Sequence, residues 1–228
     1  MARPFGGGFY PRLRRKPYVN YSVKQQALGL GTTTMNHSLS VALWLLMAAI
    51  SLGGCTSDAG TPAQDTLFRK ISDAVIQPGD PIPPPQGDVV LTVTGKFGTA
   101  ANTGDTLQFD LQTLESLGLV EIHVDDWLAE GREVDFQGIL LRQLLDVIRV
   151  PTDAQTLQTV ALNDYAVQIP VADAYAYPVL IATRADGAVM TIEHYGPIRI
   201  VYPFGLMQLD EGLHRARSIW QLFRIRVE

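Results

Sequence analysis

The chain has 228 residues and a formal net charge of -5, with 46% hydrophobic and 18% charged residues; these are the proportions of one globular domain with appended segments, not of a disordered or polytopic membrane chain. The charge is uneven: residues 1–34 hold six Lys and Arg and no acid, which leaves 12 Lys and Arg against 23 Asp and Glu in the remainder. A body that acidic repels a phosphate backbone, which predicts no nucleic-acid partner, and a single cysteine excludes internal disulfides, Cys-x-x-Cys redox pairs and thiolate zinc sites.

Residues 41–52 (VALWLLMAAISL) form an apolar run of 12, short of the roughly 20 helical residues a bilayer core requires and of the length of a signal-peptide core. The run leads into Leu52-Gly53-Gly54-Cys55, which resembles the bacterial lipobox. That resemblance implies a signal peptide over residues 35–54 and lipidation of Cys55, with the membrane as partner through its acyl chains. The chain is then an exported bacterial lipoprotein, on the periplasmic face of the outer membrane in a Gram-negative cell because no Asp immediately follows Cys55. Residues 1–34 are expected to be an unstructured extension or to reflect a misassigned start, and no function is read there. Residues 55–87, ending in Pro81-Ile82-Pro83-Pro84-Pro85, read as a lipidated Pro-rich tether. Within it Leu67, Phe68, Ile71 and Val75 share a helical face behind a cap at Asp65, predicting a short docked helix.

Residues 88–228 form the expected folded domain. Val89, Leu91 and Val93 alternate with Val90, Thr92 and Thr94 in a strand closed by Gly95, and Asn102-Thr103-Gly104-Asp105 signals a turn. Asp110 is placed to cap a helix through Leu111, Leu114 and Leu117, and residues 119–124 read as a strand. Leu141, Leu144, Leu145 and Ile148 give the clearest amphipathic helix, stopped near Pro151. Strands follow over residues 156–162, 166–169, 179–183, 189–192 and 198–202, with Asp186-Gly187 as a hairpin turn, and residues 218–227 end as a strand. Mixed strands with few helices predict an α+β fold with mixed sheets.

Most catalytic signatures are missing from this sequence: there is no Gly-x-Gly-x-x-Gly, no phosphate-binding P-loop and no Gly-x-Ser-x-Gly elbow. His123 and Asp125, two apart, would share one face of a strand and are the candidate metal ligands. The carboxylates Asp125, Asp126, Glu130, Glu133 and Asp135 are read as surrounding a solvated loop.

The last third carries more. His194-Tyr195-Gly196-Pro197-Ile198-Arg199-Ile200-Val201-Tyr202-Pro203, followed by Arg217-Ser218-Ile219-Trp220, resembles the sulfite oxidase type of molybdopterin-binding domain, where a His-Gly-x-Pro-Leu-Arg-Leu-Val-x-Pro segment precedes a Lys-Ser-x-Lys-Trp segment. Asn163-Asp164-Tyr165, Tyr177-Pro178, Asp186-Gly187, and upstream Phe109-Asp110-Leu111 and Phe136-Gln137-Gly138, follow that domain's order, so the resemblance spans residues 89–227. It implies a molybdenum-bearing pterin, with His194, Arg199, Arg217 and Ser218 as cofactor-binding residues and Asn163, Asp164 and Tyr165 toward a substrate. The sequence departs from the family twice. The metal-binding cysteine is absent, its region reading Glu121-Ile122-His123-Val124-Asp125-Asp126-Trp127, and Tyr195 stands where the family has glycine. The expectation is a degenerate domain that carries either no cofactor or molybdopterin, binding a small anionic ligand or pterin or serving as an accessory to an envelope partner protein. The alternative is an active molybdenum oxidoreductase acting on an exported oxo-substrate with a non-cysteine ligand.

Overall fold

A computed structural model describes residues 67–228. The segments expected to be an extension and a signal peptide, Cys55, Asp65 and the start of the expected tether lie outside the described residues. In chain order the strands are Arg69–Lys70 (β1), Val89–Gly95 (β2), Leu107–Asp110 (β3), Val120–Asp126 (β4), Arg132–Leu140 (β5), Thr156–Ala161 (β6), Ala166–Pro170 (β7), Leu180–Ala185 (β8), Ala188–Val189 (β9), Arg199–Val201 (β10) and Leu222–Val227 (β11). Short helices cover Leu111–Glu115 (α1), Leu141–Val147 (α2), Val171–Ala176 (α3) and Glu211–Arg217 (α4). The fold is α+β, as expected.

Two sheets form. One runs β1-β4-β5-β8-β10 with β9 attached to β8, and the other runs β3-β2-β11-β6-β7. Neighbours are antiparallel except β11 and β2, which pair in parallel with Arg224 opposite Thr92. The main core joins Leu91 and Val93 of β2, Phe109 of β3, Leu114 of α1, and Leu141, Leu144 and Leu145 of α2. The helical spacing of the α2 leucines puts them on this side, and Gln143 Oε1 accepts the Leu140 N–H at 2.8 Å to close its first turn. A second cluster joins Ile122 and Val124 of β4, Val134 and Phe136 of β5, Ala182 of β8 and Met190.

Asp110 caps α1 as expected. Its Oδ1 accepts from Thr113 N at 2.7 Å, and its Oδ2 accepts from Gln86 N at 2.7 Å and Gly87 N at 2.9 Å. Burial opposes its charge, but the backbone N–H groups of Thr113, Gly87 and Gln86 outweigh that and bring the carboxyl down to about 2.

Several expectations are corrected. No helix forms over residues 67–75; instead β1 pairs with the edge of β4, and Phe68 packs against the second cluster, its ring under the Arg142 guanidinium at 5.6 Å. From residue 67 the spacer is not a free tether: Ile76 and Ile82 are buried, and Asn102 Nδ2 donates to Pro83 O. The acidic loop is a hairpin, with Glu133 and Asp135 on β5 opposite Asp125 and His123 of β4. Helices α3 and α4 were not expected, and the strand read over residues 189–192 stops at Val189, after which the chain enters a 3-10 turn.

Candidate functional site

The alternation of β4 sends Glu121, His123 and Asp125 outward and Val120, Ile122, Val124 and Asp126 inward. Asp126 is therefore a carboxylate on the apolar side of a strand, 6% exposed. It begins a 3-10 turn, Trp127–Ala129, and accepts the Leu128 N–H at 3.2 Å. Three cavities meet around this turn. A polar one of about 450 Å³ lies between Asp125, Trp127 and the segment from Phe204 to Arg215. A second of about 450 Å³ has Phe136, Ala185, Val189 and Met190 as walls, with His194, Tyr195 and Arg199. A third of about 350 Å³ is bounded by Trp127, Asn163, Tyr165, Ser218 and Trp220.

Arg199, on β10, is 2% exposed. Its Nη1 and Nη2 donate to Asp126 Oδ2 and Oδ1, each at 3.0 Å, and its guanidinium lies 4.9 Å from the Phe136 ring centre. Arg217, at the end of α4, donates from Nη1 to Asp173 Oδ2 at 2.8 Å, and the Tyr202 hydroxyl donates to the same oxygen at 2.6 Å. Burial, then Asp173, raises the Tyr202 hydroxyl far above its ordinary value, so it stays a donor. Both guanidinium groups expected to bind the cofactor are thus occupied by carboxylates of the chain itself, and their charge is compensated. Neither Nε has an acceptor, nor does the Trp127 indole N–H.

The other candidates fall in separate places: Asn163, Tyr165 and Ser218 line the third cavity, His194 the second, and His123 and Asp125 lie on the outer face of β4. Ser218 is buried and donates to His214 O at 2.8 Å, closing α4. His194 sits at the rim of the second cavity, its Nδ1 3.1 Å from Thr191 Oγ1. Asn163 and Tyr165 face the third cavity from the β6–β7 turn, and the Tyr165 hydroxyl donates to Ala216 O at 3.1 Å. Asp164, in the left-handed region at φ 64°, is not among that cavity's lining residues. His123 and Asp125 share a face as expected, but His123 has Nδ1 2.6 Å from Asp135 and Nε2 3.1 Å from Glu133. Bonds to Asp135, then Glu133, raise the imidazole above its ordinary value and favour imidazolium, which has no lone pair for a metal. Among the described residues no three His, Cys, Asp or Glu are grouped to hold a metal ion.

Sequence reasoning missed Asp126, Asp173 and Phe136 as the partners of the two arginines. For Asp126 a signal existed, since the strand's own alternation puts it on the buried face. Tyr195 adopts φ 64°, ψ 11°, a conformation that suits the glycine expected there. Its ring meets Trp220 edge to face at 5.6 Å.

Residues 109–207 match the family described as oxidoreductase molybdopterin binding domain. The match begins on β3 and stops before α4, so Arg217 and Ser218 lie beyond it. Among solved structures the chain is similar to the sulfane dehydrogenase SoxCD from Paracoccus pantotrophus, at 16% identity and a TM-score of 0.45, over 60% of this chain and 37% of that one. The chain therefore spans well under half the length of that protein. No curated protein matches.

Proposed function

We propose, from the match of residues 109–207 to the oxidoreductase molybdopterin binding domain family, that the chain is a membrane-anchored, non-catalytic member of it that serves as an accessory protein of a bacterial envelope. The residues present do not fit a molybdenum-bearing pterin. The soft thiolate such a metal takes is missing: the sole cysteine is Cys55, in the lipobox-like segment. His123, at the place read for the ligand, is held by two carboxylates. The observation that carries the proposal is the pairing of Arg199 with Asp126 and of Arg217 with Asp173. A cofactor phosphate entering either place would meet a carboxylate already there, and displacing it would strand a buried charge. The same compensation argues against Arg199 and Arg217 as receptors for a free anionic ligand.

Anchoring rests on the apolar run at residues 41–52 and on Leu52-Gly53-Gly54-Cys55. The lipid on Cys55 is the proposed attachment; among the described residues no helix is long and apolar enough to cross a membrane. The test is elemental mass spectrometry for molybdenum, with fluorescence of the oxidised pterin, on protein isolated from an envelope whose cells load molybdenum into other enzymes. Absence of both is expected; a one-to-one content of metal and pterin overturns the proposal and makes the chain a working oxidoreductase.

A further inference from the structure

We propose that the second cavity is a binding site for a small, neutral, largely apolar carbonyl compound, seated against Phe136 and Met190 with its oxygen toward Arg199. The proposal rests on the reading above, that Arg199 is neutralised by Asp126 and not by a cofactor. A volume of about 450 Å³ lies in the range of sites for small organic molecules. Its walls are mainly aliphatic and aromatic, and its charges cancel within the protein, Arg199 against Asp126 and, at the rim, Arg132 against Asp186. A charged ligand would be desolvated there without a counter-charge, whereas an apolar body would not.

Arg199, in the cavity's wall, also has an unanswered donor. The Arg199 side chain is 97% buried, being 3% exposed, and both Nη groups are used while Nε–H has no acceptor. An unsatisfied buried donor is costly, and a carbonyl oxygen is the neutral group that satisfies it. As the chain stands this N–H is closed to water, so a ligand must shift a wall to reach it. Met190, unbranched and deformable, is the wall suited to yield. Tyr195, with a phenol ring where the family has glycine, is among the lining residues.

The test uses the full chain with Cys55→Ser, which removes the lipid and alters no described residue, titrated calorimetrically with three naphthalenes of similar shape. 2-Acetylnaphthalene is expected to bind, 2-ethylnaphthalene to bind roughly tenfold more weakly for want of an acceptor, and 2-naphthoate more weakly than the ketone. Ala188→Trp, on exposed β9 at the cavity's edge, is expected to weaken ketone binding at least roughly tenfold, while Val75→Trp, exposed elsewhere, leaves it unchanged. Equal affinity for the ketone and the hydrocarbon, insensitivity to Ala188→Trp, or no binding of any probe overturns this proposal alone. Tightest binding of the naphthoate overturns it together with the reading that Arg199 is spoken for.

Discussion

Replacing Asp126 by alanine would leave the Arg199 guanidinium buried without a counter-charge. The two side chains are 7% and 3% exposed and joined by two hydrogen bonds of 3.0 Å. Breaking a buried pair from one side costs about 3–5 kcal/mol, because the remaining charge keeps its desolvation penalty and loses its partner. The lost bond to Leu128 N adds to this in the manner of a missing cap, about 1 kcal/mol. Asp126→Ala is thus expected to lower unfolding free energy by about 5 kcal/mol in urea titration followed by circular dichroism. Adding Arg199→Met removes the stranded charge and leaves an apolar chain over Phe136, so the double variant should recover most of the loss and stay within about 2 kcal/mol of the parent. A single variant within about 1 kcal/mol of the parent, or a double variant as unstable as the two singles summed, would refute the claim that Asp126 is there to neutralise Arg199.

Four further outcomes are expected. Asp110 has its carboxyl pulled from 3.8 to about 2, so its contribution is present above the higher value and is lost as pH falls toward the lower; after allowance for screening it is about 1–2 kcal/mol, and acid titrations of the parent and Asp110→Asn should converge below about pH 2. His123 has the opposite sign: its raised value makes its contribution full below 6.5 and lost as pH rises through the folded value, so nuclear magnetic resonance should show it titrating above an ordinary histidine, and Asp135→Asn should bring it down. A Cβ at Gly138 would sit 2.1 Å from Ile181 O, backbone against backbone between β5 and β8, so Gly138→Ala should cost about 3 kcal/mol in the same denaturation assay; a cost below about 1 would contradict that packing. Cys55→Ser should move the protein from the membrane to the soluble fraction, and retention in the membrane would remove the lipid-anchor proposal.

What could be read from sequence follows from where the information is stored. The strand β2, the Asp110 cap and the α2 leucine stripe are local patterns, and the structure has them where they were expected. Strand β5 was read as part of an acidic loop because Glu133 and Asp135 occupy its outward face, although Val134 and Phe136 keep the alternation. Helix α4 has almost no apolar stripe and is fixed by its Asp210 cap, which binds Leu213 N at 2.9 Å. The two arginines were legible as special, but their partners were not. Asp126 lies 73 positions from Arg199, and Asp173 lies 44 from Arg217. Pairings over such distances leave no periodic trace, and only the fold reveals that the charges cancel.

The position of β11 bears on when this domain can exist at all. The last strand in chain order is the middle of its sheet, parallel to β2 on one side and antiparallel to β6 on the other. No amino-terminal portion can complete that sheet while residues 222–227 are still unmade, since β2 and β6 have no bonds to one another without it. Closing so large a loop of chain is slow, and until it closes the second sheet stays in two separate hairpins, β2 with β3 and β6 with β7.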